Sequence, residues 1–394
     1  MTLERGVSPK ERDAGLSGQT LILRRLRVER FRNLHIPDKR FDSGFNLVLG
    51  PNGEGKTNLL EAVAVLGNLR SFRRAPPRRL VRFNERDFRL HGVVEGPCGI
   101  VRLTHTLSLG PPVQRSLRVN GAKVKIAEYL QQLPVFSLSA RDSELVIGAP
   151  EARRALVDRL VFFSEPRHLE VLREYAACLR QRNAALLAGA SSGELSAWEE
   201  RLARSAVDVV VRRQRSLIEW KGFFQRIYEA IRPPGFPELA VSYRSDSETT
   251  DYTELAEFYR QRYHDQRARD RKLGYTVDGP HRHDLQLRAG GRTARDVLSA
   301  GQVKTVAAAL CFSTLALVEE RRKERLPVLV DDVDAEIDDD VLARLLAFLG
   351  RRRQMFVSSA HVKSLVRVAP RAARWFMTQG SIRGDPEPSE VAHE

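Results

Sequence analysis

The sequence predicts an α/β fold, a mixed sheet flanked by helices, with a helical domain inserted into it. Three observations carry this. An apolar strand runs into a glycine-rich turn and a helix at "FNLVLGPNGEGKTNLLEA". A second apolar strand, "PVLVDD", ends in paired acids. Between them, from about 150 to 275, apolar residues recur at helical spacing. The strand-bearing stretches 21–149 and 276–380 are therefore expected to form one head from both parts of the chain, with disordered polar tails at 1–20 and 381–394.

The elements follow in order. "LILRRLRVERF" alternates apolar and charged residues, as a half-exposed strand does, and "FNLVLG" is a continuous apolar run suited to a buried strand. A helix is expected from about Thr57 to Leu69, then a basic loop broken by Pro76 and Pro77. Short strands joined by Gly- and Pro-rich turns fill 88–125. The helical block begins near Pro150 and breaks at "GASSGE" and "RPPGFPE". A long helix, "VKTVAAALCFSTLALVEERRKE", then precedes "PVLVDD", a helix at "DVLARLLAFLG" and a strand at "QMFVSSAH".

Composition narrows the function classes. No uninterrupted apolar run reaches the ~20 residues that span a bilayer, and the N-terminal stretch lacks a signal-type apolar core. A cytoplasmic protein without a membrane partner is expected. Cys98, Cys178 and Cys311 form no CxxC pair, which argues against zinc and disulfide frameworks. The formal net charge is +15, a balance that favours polyanion partners.

Gly50, Pro51, Asn52, Gly53, Glu54, Gly55, Lys56 and Thr57 form a G-x-x-x-x-G-K-T loop between strand and helix. The glycines let successive N–H groups face one phosphate, and the helix start adds positive potential. Lys56 would reach the β- and γ-phosphates, and Thr57 would bind Mg²⁺. At the end of "VLVDD", Asp331 would hold the metal and Asp332 would polarise the attacking water. "LSAGQ" offers Ser299, Gly301 and Gln302 at a helix start. Alone this is an ordinary N-cap pattern. One helix upstream of "VLVDD", it resembles the signature of ATP-binding-cassette proteins, which closes over nucleotide held by another subunit.

With these in place, the sequence resembles the RecF family of SMC-like, ABC-type ATPases over about 21–365. "LRVERFRNL", "LGNLRSFRR", "FSLSARDSELVIGAPEARRALVDRLV", "GPHRHDLQL", "LSAGQVKTVAAAL" and "LVDDVDAEID" carry the likeness, in order. The resemblance implies an ATP-dependent DNA-binding protein of recombinational repair and replication restart, acting in the DNA-damage (SOS) response. Its cofactors would be ATP and Mg²⁺. An ATP-driven homodimer would clamp duplex DNA near single-strand gaps and aid recombinase loading with RecR and RecO. Lys56 and Asp332 would be the catalytic groups of a weak, DNA-stimulated ATPase serving as a switch.

Some positions depart from the family pattern. Arg is frequent where Ala300 stands, Phe-Ser where Asp334 and Ala335 stand, and an acid where His283 stands. His361 sits where cassette ATPases often carry a γ-phosphate histidine. These departures leave the ATP site intact and leave open an orthodox member or a diverged paralogue. DNA contacts are expected along Arg70, Arg73, Arg74, Arg78 and Arg79, within a basic stretch that runs on to Arg82 with Phe72 and Phe83 interleaved. Two other readings stand beside this one: the ATPase head of a different SMC-like or anti-phage complex, and a P-loop small-molecule kinase.

Overall fold

Two six-stranded sheets and a three-stranded sheet organise the described residues. The computed structural model describes residues 20–332, 339–349, 353–359 and 371–384. The first half contributes β1 (Ile22–Glu29), β2 (Ile36–Arg40), β3 (Phe45–Leu49), α1 (Lys56–Asn68), the short α2 (Pro77–Leu80), β4 (Asp87–Gly96), β5 (Gly99–Ser108), β6 (Gln114–Val119), β7 (Ala122–Lys123), α3 (Ile126–Leu130) and β8 (Phe136–Leu138). Helices follow: α4 (Glu144–Ile147), α5 (Pro150–Ser164), α6 (His168–Leu187) and α7 (Ser192–Ile231). Then come β9 (Leu239–Arg244), α8 (Tyr252–Asp265), α9 (Arg267–Leu273), β10 (Asp284–Ala289), β11 (Arg292–Thr293), α10 (Ala294–Val297) and α11 (Ala300–Arg322). The last described elements are β12 (Val328–Val330), α12 (Asp339–Leu349), β13 (Met355–Ser359), β14 (Ala373–Thr378) and β15 (Ser381–Gly384).

One sheet, in the order β2-β1-β4-β5-β6-β7, is antiparallel. The other runs β15-β14-β3-β13-β12-β8 and is parallel except for β15. Alternating burial along β1 fits a strand with one solvated face, whereas β3 is buried at four successive positions. The parallel order sends β3, β13 and β12 out at one edge, where open α/β sheets bind ligands. Helix α1 is buried along most of its length between the two sheets.

Helix α7 spans 40 residues and joins two cores. Leu202, Ala206 and Val210 pack with α6 and α8, while Trp220, Phe224 and Ile227 belong to the head core. Ser191 caps its start by accepting from the Glu194 N–H, and Pro233 and Pro234 follow its end. Helix α11 has the length and hydropathy of a membrane span, yet Val306, Ala309 and Leu310 are fully buried; it is a core helix.

Two segments differ from the sequence expectation. Residues Leu239–Arg244, inside the expected helical block, form β9 and pair antiparallel with β10. Residues Ser381–Gly384, placed in the C-terminal tail, form β15, because Gln379 and Gly380 turn with left-handed φ of 48° and 77° and return the chain along β14. Asp334, Ala335 and His361 lie outside the described residues, as do the expected tail residues 1–19 and 385–394.

Candidate nucleotide site

The loop after β3 is shaped by three glycines with positive φ, Gly50 at 142°, Gly53 at 87° and Gly55 at 105°. A Cβ on Gly50 would lie 2.7 Å from the Met377 carbonyl oxygen, so the loop lies close against β14. Glu54 fastens its outer side: the Glu54 carbonyl accepts from Gly380 N–H at 3.0 Å, and its carboxylate accepts from Gln379 N–H. Glu54 is thus a brace. Pro51, Asn52 and Gly53 are exposed at the tip. Lys56 is buried, and its ammonium donates to Gly50 O at 2.6 Å, Pro51 O at 3.0 Å and Asn52 Oδ1 at 3.4 Å. No side chain caps the N-terminus of α1, and no acid occupies its first turn. Its positive end and the curled N–H groups therefore form a cradle suited to an anion.

Asp331 and Asp332 follow the buried β12. Ser358 Oγ donates to Asp331 Oδ1 at 2.8 Å and accepts the Asp332 N–H at 2.8 Å. The Thr57 side chain lies close enough to the Asp331 carboxylate to help hold its pKa down. Burial raises the Asp331 pKa; the Ser358 hydrogen bond and the nearby Thr57 hydroxyl oppose this, neighbouring Asp332 adds to it, and the Arg73 guanidinium opposes it. Asp332 is exposed and has a φ of 53°, which turns the chain sharply at the strand end. Thr57 and Asp331 thus meet at the foot of the loop. Together with phosphate oxygens and water they suit a small hard cation, which binds through few protein ligands.

Ser358 belongs to no sequence motif of the site. Its signal was the polar pair ending the apolar run "MFVSS", which becomes meaningful only because β13 lies between β3 and β12.

The basic stretch divides by role. Buried Glu61 accepts from Arg32 at 2.8 and 3.0 Å and from the Ser71 hydroxyl, and Ser71 Oγ accepts the Arg73 N–H at 3.0 Å. This pins the loop after α1 so that Arg73 reaches Asn58 Oδ1 at 3.4 Å and lies within electrostatic reach of Asp331. Arg74 pairs with Glu144 at 2.6 Å. Arg70, Arg78 and Arg79 are exposed.

Ser299 caps α11: its Oγ accepts the Gln302 N–H at 3.4 Å, and its N–H donates to Gln302 Oε1 at 3.0 Å. Ser299 and Gly301 are exposed, at the start of a 23-residue helix. His283 lies elsewhere, buried with its ring against Tyr243 Oη at 3.0 Å, Asp246 Oδ2 at 3.0 Å and Tyr259 Oη at 3.2 Å.

Comparison with known proteins agrees with this geometry. The family described as RecF/RecN/SMC N terminal domain matches residues 22–383. The DNA replication and repair protein RecF of Heliobacterium modesticaldum is 32% identical over 346 residues, covering 86% of this chain and 92% of its own length. Its counterpart from Magnetococcus marinus is 32% identical over 371 residues, covering 91% and 96%. The solved recombination mediator protein RecF-ATP in the RecFOR pathway has a TM-score of 0.84 at 25% identity, covering 93% of this chain and 98% of its own. An SMC head derived from Pyrococcus furiosus, at a TM-score of 0.54 and 15% identity, covering 93% of this chain and 96% of its own, shares the fold alone. The fold is that of an ABC-type ATPase head, and the chain belongs to the RecF family, within the wider RecF/RecN/SMC group.

Proposed function

We propose that this chain is an ATP-dependent DNA-binding protein of recombinational repair and replication restart. The observation that carries the reading is the meeting of Thr57, Asp331 and Ser358 at the foot of a three-glycine loop. The loop N–H groups and Lys56 bind the phosphates of ATP. Thr57 and Asp331 hold Mg²⁺, which supplies charge neutralisation on the phosphate oxygens when bound. Asp332, exposed beside them, orients the attacking water. Ser299 and Gly301 face outward at the start of α11, so they serve the site of a second copy. ATP thereby joins two heads, and slow hydrolysis releases them.

The DNA replication and repair role of the relatives supports duplex DNA with single-strand gaps as the partner, and the RecFOR pathway of the solved relative supports RecO and RecR. Exposed Arg70, Arg78 and Arg79 supply phosphate contacts without base reading. Size-exclusion chromatography with light scattering tests the reading. A dimer is expected with ATP and gapped duplex, none with Lys56→Ala, and a long-lived dimer with slow turnover for Asp332→Asn. A chain that stays monomeric in every condition overturns the clamp.

A further inference from the structure

Phe83 is 89% exposed, the most exposed large apolar side chain among the described residues. It stands at the apex of a turn in which Glu85 N–H donates to Arg82 O at 3.0 Å and Asn84 takes a left-handed φ of 64°. The turn is braced. The Arg82 guanidinium donates to the carbonyls of Arg32 and Leu34, the Arg82 N–H donates to Arg30 O at 2.8 Å, and Arg30 pairs with Asp87 at 2.6 Å. Exposed Arg78 and Arg79 precede it in the chain and exposed Arg86 follows it. A bare ring is therefore held rigidly on a basic tip.

Guanidinium groups and an aromatic face complement the two surfaces of a nucleic acid, phosphate oxygens and base faces. An intact duplex hides its base faces, and opening a step costs a few kcal/mol. An interrupted duplex offers a terminal base pair whose outer face is already free. We infer that Phe83 stacks on that terminal base pair while the neighbouring arginines hold the flanking phosphates. A second copy of this chain is a poorer occupant, because it would bring another basic molecule of net charge +15 against an arginine-rich tip. The inference deepens the DNA-binding reading above and rests on it.

Fluorescence anisotropy of the full chain with ATP and magnesium tests it on two probes, a continuous duplex and a gapped duplex of the same sequence. Phe83→Ala is expected to weaken binding to the gapped probe about 5- to 100-fold, the range of one lost base stack, with the continuous probe unchanged. Phe83→Trp should restore the preference, and Arg78→Ala should weaken both probes alike. The ring packs into no core, so circular dichroism of Phe83→Ala should match the parent. No loss, or equal loss on both probes, overturns the stacking role. So does loss of the ATP-dependent dimer with the probe preference intact, which would assign the ring to a second copy. A parent chain that binds neither probe overturns the DNA reading and this inference together; a parent that binds with no Phe83 effect overturns only the inference.

Discussion

Ser358 holds both acids at the end of β12 with one hydroxyl, donating to Asp331 and accepting from the Asp332 N–H. Ser358→Ala leaves a buried carboxylate short of a donor and a backbone N–H without its partner, a loss of about 1–3 kcal/mol in the site's order. ATP hydrolysis is expected to fall roughly 5- to 100-fold, with nucleotide affinity nearly kept because the loop and Lys56 are untouched; steady-state turnover and a nucleotide titration separate the two. At this scale the sequence was readable where one residue type answers one local need. Gly50, Gly53 and Gly55 stand at positive φ, and Lys56 and Thr57 follow at fixed spacing. It was not readable where the need is set across the sheet. Ser358 lies about three hundred residues from Thr57, and only strand order brings them together. Likewise, the run of charge does not show that Arg73 lies within electrostatic reach of Asp331 or that Arg74 pairs with Glu144; both stay exposed.

Among the elements, two buried polar groups decide how the layers respond to change. Arg182 on α6 is fully buried, donating to Asp270 at 2.6 Å, Thr276 at 2.7 Å, Glu199 at 3.1 Å and the Tyr263 carbonyl at 2.9 Å. Arg182→Met leaves buried Glu199 and Asp270 without this charge, although Arg267 still reaches Glu199. A loss of about 3–5 kcal/mol is expected, readable as an early unfolding step of the helical block in urea. His105 on β5 packs edge-on to Phe88, and its Nδ1 meets the Val65 carbonyl at 3.2 Å. Burial and the charge of Arg115 push its pKa down to about 3, against a weak pull from that carbonyl. The native state keeps the ring neutral while the unfolded chain takes up a proton below about 6.5. Stability therefore falls as pH drops from about 6.5 toward 3. Asp142, pushed up to about 6 by burial, acts oppositely between its ordinary value and 6. Val65 O also accepts from Leu69 N–H, so His105→Phe strands no acceptor. It should raise the melting temperature more at pH 5 than at pH 7.5, and equal gains would count against the titration. The helices were legible because α7 keeps its period for 40 residues and ends before two prolines. Strand β9 was not, since "LAVSYR" follows a proline-rich break and only its pairing with β10 makes it a strand. The short β15 likewise exists only by returning along β14.

At the scale of the molecule, arginine-mediated phosphate binding predicts a DNA affinity that falls log-linearly with salt. Arg79→Ala should reduce that slope by about 1 without changing sequence preference. A slope that stays flat from low to moderate salt would remove the electrostatic account. The head was legible as an α/β unit assembled from two distant stretches, because a P-loop demands an acidic strand and one lies far downstream. The order in which the strands interleave was not, and it has a consequence in time. The strand carrying the glycine loop, β3, sits between β13 and β14, and Gly50 abuts the Met377 carbonyl. A ribosome delivers β3 about three hundred residues before both its neighbours. The growing polypeptide thus carries the motif long before it owns the shape, and nucleotide competence waits for β13 and β14 to be made. A chain halted after residue 359 should contain every residue of "GPNGEGKT" and still wash off immobilised ATP, while one that also includes β14 and β15 is retained.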